Sequence, residues 1–455
     1  MSAAPGSDIP ADATARLAEA AVSTRFEDLS PAVVEAAAVG VLDWLGVAIA
    51  GANEPVARRL GDVVIGAGPP PADAGAATVF GRALPASPLQ ATLVNATCGH
   101  ALDYDDSLDA MEGHATTPVL PGLLALAEAR DLPPARLVAA YVAGIDCAWL
   151  LGTMVNPAHY EHGWHATATL GALAGAAAAA NLLELDRDAC ERCVGLAALQ
   201  AAGLKSAFGT MGKPLQVGRA AEAGLLSALL VERGYTAPGQ VIERPQGFLR
   251  TYGADPSPRN DPLGPGEHAV ERLLFKYHAA CHATHPAIEA IARIRAETRI
   301  DVEEITRIDV DVVPSLERIC GVGVPTTGLE AKFTLPGAVA MALLELDTAD
   351  PAAFSDRLVK RHDYLALLEK VAVHPTEGVG EWTSRVRIQT ADGERSSQVD
   401  IGQPVPPAQT RAGVEAKFLA LTAPLLGGGP AAALAEQALR LHELASVREW
   451  LGAYR

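Results

Sequence analysis

The sequence predicts a mainly helical protein interrupted late in the chain by a smaller α+β region. Nearly half of the 455 residues are hydrophobic (49%) while only 5% are aromatic. Alanine dominates the apolar fraction, and small side chains favour closely packed helices over sheets filled by bulky groups. Apolar stretches separated by short Gly/Pro breaks follow one another from Ala13 to about Tyr252,. Residues 254–267 are then too rich in proline and glycine for regular helix or strand, and they mark a boundary,. The length itself favours two domains.

In chain order, residues 1–11 read as a disordered lead-in without the basic and apolar regions of a signal peptide,. Helices are expected over Pro31–Gly51, 87–102, 118–128, 134–151 and 219–233, several opened by proline or an acidic residue, as helix starts prefer,. A break falls at 66–75. The uncharged run 166–183 is long enough to suggest a membrane span, but it is mostly Ala, Gly and Thr and reads as a buried core helix,. Beyond the boundary comes a helix at 285–298, then alternation at Ile308, Val310 and Val312, which signals a half-buried strand,. Further strands are expected at 371–373, 385–390 and 397–401, the last two joined at Asp392-Gly393, with a helix at 335–346 among them,. Residues 410–451 return to helical periodicity. The resulting division is 1–265 helical, 266–405 α+β and 406–455 helical, with no fixed-period repeat.

Lys plus Arg total 36 against 54 Asp plus Glu, a net charge of −18. Such a field repels nucleic acid and anionic membranes, so neither is an expected partner. Six scattered cysteines form neither a disulfide scaffold nor a paired CxxC zinc motif, which fits a reducing, cytoplasmic setting,.

Four polar islands stand in apolar surroundings. The first is Asp103-Tyr104-Asp105-Asp106-Ser107, followed by His114; carboxylates this crowded cannot all ionise freely if buried, which suits acid/base work, whereas exposed they are only a solvated cap,. The second holds His159, His162 and His165. Its spacing resembles a metal site, but no HExxH pattern or matching carboxylate accompanies it, and His165 at a helix start suits proton transfer near neutral pH,. The third is the glycine-bracketed turn 209–214, which presents Lys213 to an anion, extended by Lys205, Gln216 and Arg219,. The fourth runs from Lys276 through Cys281 and His282 to His285 at the boundary, where ligand sites are favoured,.

The segments Ala101 to Ser107 with Gly113-His114, Gly163 to Thr167, Phe208 to Pro214 with Gly218 to Ala221, Lys276 to Pro286 and Glu330-Ala331-Lys332-Phe333 resemble the MmgE/PrpD family, in the right order over nearly the whole chain. That family includes 2-methylcitrate dehydratase, cis-aconitate decarboxylase and iminodisuccinate epimerase. The resemblance implies a large all-helical domain with an inserted smaller α+β lid domain, the site in the cleft between them, a homodimer, and neither metal nor organic cofactor. It places Asp103, Ser107, His114, His165, Lys213 and Lys276 in the active cleft. Asp103, His114, His165, Lys213 and Lys276 are expected to be catalytic, and Ser107, Gln216, Arg219, Cys281 and His282 to bind substrate.

Two features depart from the family pattern. Gln216 stands where relatives often have His, and Lys276 to His282 differs from the Lys-x-Tyr-Pro-x-Cys-Arg form of the dehydratases, so the substrate meets different polar groups. Cys281 also stands where the decarboxylases have a catalytic histidine, which counts against cis-aconitate decarboxylation. The expected reaction is proton abstraction beside a carboxylate of a small di- or tricarboxylate, first of all a 2-methylcitrate dehydratase-like elimination. His165 or Asp103 would be the base, His114 the acid, and Lys213 with Lys276 the carboxylate clamps. Epimerisation of an amino- or imino-dicarboxylate, cis-aconitate decarboxylation and non-catalytic carboxylate binding remain as alternatives.

Overall fold

Serine caps and early prolines set the starts of the two helices that lead toward the site. Ser30 accepts from the Val33 amide at the start of α1 (Pro31–Gly51). Ser87 and Gln90 form a reciprocal capping box at the start of α2 (Pro88–Ala101),. Further along the chain come α3 (Thr116–Arg130), α4 (Pro134–Val155), α5 (Ala166–Leu182), α6 (Gly212–Glu232), α7 (His285–Glu297), α8 (Leu335–Leu343) and α9 (Pro407–Leu426). The structure, a computed structural model, describes residues 12–65, 75–83, 85–253, 262–318, 320, 323–402 and 405–452. The expected lead-in at 1–11, most of the 66–75 break and residues 254–261 of the expected linker lie outside the described residues.

Every residue of α5 is buried, which agrees with a core helix. α5 packs against α3, α4 and α6, and α6 in turn packs on α2. Two glycines make this close approach possible: a Cβ at Gly175 would stand 2.9 Å from the Pro118 carbonyl oxygen, and one at Gly224 would stand 2.9 Å from the Ala176 nitrogen,. The start of α6 is thereby fixed beside the start of α5. Lys213 sits in the first turn of α6 rather than in a free turn, since the irregular part ends at Met211 after Gly209 in the left-handed region (φ 78°). α1 and α4 are long and apolar enough to cross a membrane, yet most of each is buried inside the protein.

The sheet is four-stranded in the order β2-β1-β3-β4, with β1 (Arg307–Val312), β2 (Val371–Pro375), β3 (Thr383–Thr390) and β4 (Gly393–Asp400). β1 runs parallel to β2 and antiparallel to β3, so the sheet is mixed. Ile308, Val310 and Val312 are fully buried. Thr390 pairs with Gly393, so the hairpin loop is Ala391-Asp392 and Gly393 opens β4 at φ 118°.

The expectation of an inserted α+β lid domain needs correction: the protein is mainly helical with a small mixed sheet, and no separate lid is shown. One buried cluster joins Ile291 of α7, Val310 of β1 and Val339 of α8 to Val47 of α1, to Leu102 and Tyr104 after α2, and to Leu421 of α9. A Ser107–Leu274 bridge and a hydrogen bond from Trp382 Nε1 to Asp109 Oδ1 (2.9 Å) add backbone and polar ties. A change of composition marks where strand patterning begins. It carries no information on whether the new elements bury their apolar faces among themselves or, as here, partly against the first helices.

Candidate active site

A cavity of about 790 Å³, including the space at its mouth, lies where these two parts meet. Asp103, Ser107, His114, His165 and Lys213 line it from the helical side, and Lys276, Cys281 and His282 from the other. At its centre Asp103 has left the helical region after α2 with φ 52°, a conformation that costs about 1 kcal/mol or more for a non-glycine residue,. Its carboxylate is paired with Lys213 and lies 3.2 Å from Lys276 Nζ, and Lys276 also donates to the Asp103 carbonyl oxygen at 2.8 Å. All three residues are buried. Burial pushes the Asp103 carboxyl up, but the Lys213 and Lys276 ammonium groups outweigh it and hold the group below the ordinary carboxylate range. Asp103 is therefore a poor base. Two cations share one anion, which leaves one positive charge for a substrate carboxylate.

The backbone fixes the state of His165. Gln216 Oε1 accepts the Leu204 amide at 3.0 Å, while the Gln216 amide nitrogen donates to the Leu204 carbonyl at 3.3 Å, so the amide orientation is determined. The same Oε1 stands 3.1 Å from His165 Nδ1, which must donate to it,. His165 Nε2 is left with a lone pair and, among the described residues, no hydrogen-bond partner. Burial, then the nearby Lys213 charge, depress this imidazole well below its usual pKa, so it stays neutral.

His114 lies between two carboxylates, with Nε2 at 3.8 Å from Asp103 and Nδ1 at 3.4 Å from Asp105. Behind it, Asp105 is hydrogen-bonded to His100 Nδ1 (2.9 Å) and Thr117 Oγ1 (2.6 Å). Asp106 is bound by Thr116, and burial pushes its carboxyl up to about 7. The crowding of the three aspartates thus ends in two firmly ionised groups and one near neutrality,. Ser107 Oγ and His282 Nδ1 are hydrogen-bonded at 3.2 Å, one group from each side of the cavity.

Two expected ligand residues are not in the cavity. Arg219 is six residues beyond Lys213, about one and two-thirds turns, so it leaves the opposite side of α6, where it is exposed and paired with Glu222,. Gln216, about one turn from Lys213, lies behind His165 and orients it rather than lining the wall. Of the second island's histidines, His159 is buried against Thr169 and the Tyr252 carbonyl, apart from the cavity lining.

His100, Asp105 and His114 each offer one atom within 4.8 Å of the others, a possible three-ligand cation site. The Asp105 oxygens already accept from His100 and Thr117, and the Lys213 charge presses on both imidazoles, which opposes a divalent cation,. Exhaustive chelation is expected to leave turnover unchanged. Loss of activity restored by one specific metal would make this triad a metal centre.

Buried neutral histidines give a pH signature. Burial lowers His100 and His159 to about 4 and depresses His114, His165, His282 and His285. A histidine with a folded pKa below its unfolded value of 6.5 contributes stability that is present above 6.5 and lost as pH falls toward the folded value,. Asp106 acts oppositely: its raised pKa contributes stability that is lost as pH rises through about 7,. Burial raises Asp43, Glu191 and Glu222 as well, but the six histidines outnumber these four carboxylates, so the urea midpoint is expected to fall from pH 6.5 to about 4,. A flat midpoint over that range would contradict the burial of these imidazoles.

Sequence reasoning passed over His100, Lys332 and Trp382. His100 reads as one more residue of an apolar helix, and its only signal is a position five residues before Asp105 at the helix end. Lys332 appears within a matched segment without a stated role. Trp382, which lines the cavity and packs on the His282 ring (centroids 5.0 Å apart), had no signal at all.

Comparison with known proteins accords with this architecture. The MmgE/PrpD N-terminal domain model matches residues 15–261, and the MmgE/PrpD C-terminal domain model matches residues 278–443. The chain is 28% identical over 411 residues to a cis-aconitate decarboxylase of Aspergillus terreus, covering 84% of this chain and 83% of that protein. It is 31% identical over 219 residues to the human cis-aconitate decarboxylase, covering 46% and 44%, and 28% identical over 318 residues to the mouse one, covering 66% and 64%. With both domain models spanning most of its length, the chain belongs to the MmgE/PrpD family and is an enzyme of the lyase type.

Proposed function

We propose that the protein is a metal-independent lyase that moves a proton beside a carboxylate of a small di- or tricarboxylate, with elimination of water from a 2-methylcitrate-like hydroxy acid as its reaction. The observation that carries this is the meeting of Lys213 and Lys276 on one carboxylate in the cavity that His165 lines with an Nε2 unpartnered among the described residues. A carbon acid next to a carboxylate is weak, so a site without a metal needs a positioned base and cations where enolate charge develops. His165 Nε2 takes the proton. Lys213 and Lys276 hold the carboxylate whose charge grows, and Asp103 keeps the two ammonium groups together. The proton that His165 takes leaves with the hydroxide as water. His114, neutral in this setting, hydrogen-bonds the departing oxygen, and Ser107 with His282 binds a second carboxylate.

Decarboxylation of cis-aconitate is a second reading, favoured by the likeness to proteins named for that reaction. It needs a proton donor to the carbanion rather than a leaving-group acid. The thiol of Cys281 stands at the cavity wall where the family resemblance puts a histidine in decarboxylases, and this counts against decarboxylation. Incubation with 2-methylcitrate, citrate, cis-aconitate and iminodisuccinate, followed by mass and optical rotation, separates the readings. Loss of water supports elimination, and loss of carbon dioxide supports decarboxylation. Unchanged mass with altered rotation supports an isomerase, and no change with any acid overturns the proposal.

A further inference from the structure

Three successive carbonyl groups at the centre of the site each accept from a different buried lysine. Lys332 Nζ donates to Leu102 O at 2.6 Å, Lys276 Nζ to Asp103 O at 2.8 Å, and Lys417 Nζ to Tyr104 O at 2.7 Å. Lys417 also holds the buried Asp43 at 2.7 Å. Lys276 belongs to the catalytic proposal and Lys417 has its own counter-ion. Lys332 has neither assignment.

We propose that Lys332 is a positioning residue of this site: its ammonium, fixed on the Leu102 carbonyl, locks the left-handed turn at Asp103 in the arrangement where that carboxylate bridges Lys213 and Lys276. Lys332 is 5% exposed and lies over the Phe354 ring at 5.5 Å. The carboxylates whose charge it feels are Asp103 and Glu54, opposed by Lys276 and Lys213. The donor held on the Leu102 carbonyl acts on the strained residue Asp103, one position along the chain from that acceptor,. The backbone of Lys332 supports the opposite wall as well: its carbonyl accepts the Cys281 amide at 2.9 Å, and the next residue, Phe333, lines the cavity with its ring 5.1 Å from Lys213 Nζ. One residue thus ties together the turn that carries Asp103 and the wall that carries Cys281.

This inference rests on the cavity being the active site, and its test separates the two claims. In the full-length protein, Lys332→Met is expected to lower kcat about 100-fold with KM changed by less than about threefold, as misplacement of a catalytic group does. Its crystal structure is expected to show Asp103 out of the left-handed region and parted from Lys213 or Lys276. Lys332→Gln, which keeps a donor for the Leu102 carbonyl, is expected to stay within about tenfold of the parent. A Met variant with parental kcat, or an inactive one in which Asp103 keeps both lysines, overturns the proposal. Should the Met variant not fold, the Gln variant decides alone: activity and the Asp103 bridge must be kept together or lost together, and either without the other overturns it. If the parent acts on none of the acids tested, the functional reading fails, while the crystal structure of the variant still judges the positioning.

Discussion

Lys213→Ala is expected to reduce kcat by on the order of 10²–10³-fold, the usual loss when one preorganised group facing the developing charge is removed. In sequence, Lys213 reads as a turn lysine whose loss would leave the fold untouched. The structure changes that expectation, because Lys213 is 5% exposed and paired with the buried Asp103 carboxylate. Removing it leaves Asp103 with Lys276 alone, so a stability loss of about 1–3 kcal/mol should accompany the loss of turnover. Urea unfolding checks the second part. A Lys213→Ala enzyme with parental kcat would refute the clamp, and one with parental stability would refute the buried pair.

His165→Asn is expected to cost on the order of 10²–10⁴-fold in kcat, the range for a general base. Among the described residues His165 forms no ion pair, and Asn keeps an N–H that can meet Gln216 Oε1, so its replacement should cost less stability than Lys213→Ala. Gln216→Leu supplies the control. It removes the group that holds the proton on Nδ1, which lets the ring adopt the other tautomer while remaining in place. A loss of about tenfold is expected, and kcat should fall more than KM rises. If His165→Asn retains parental kcat while Lys213→Ala does not, the base lies elsewhere, with His114 or His282 next in line.

These two residues also show how far the site can be read from the chain alone. Lys213 and His165 stand beside glycines and at helix starts, where local sequence carries the signal, and both line the cavity. Gln216 and Arg219 were read as parts of the same polar island, yet helical phase separates them: three residues from Lys213 keeps Gln216 near the site, and six carries Arg219 to solvent,. The strands were visible because Ile308, Val310 and Val312 alternate along β1. What those strands pack against was not visible. That Val47, Tyr104 and Leu421 share a core with β1 depends on contacts between segments hundreds of residues apart, which no local pattern encodes. For the same reason the resemblance suggested a lid where the structure has a shared core. The ionisation states at 103, 105 and 106 also follow from distant partners: lysines for the first, His100 for the second and mainly burial for the third.

The central claim is that two lysines from opposite sides of the cavity hold a substrate carboxylate next to the carbon whose proton His165 moves. A crystal structure with propane-1,2,3-tricarboxylate bound tests it most directly. One carboxylate is expected within hydrogen-bonding distance of both Lys213 Nζ and Lys276 Nζ, with an adjacent carbon facing His165 Nε2. A ligand bound away from both ammonium groups, or with His165 turned from its carbon chain, would contradict it.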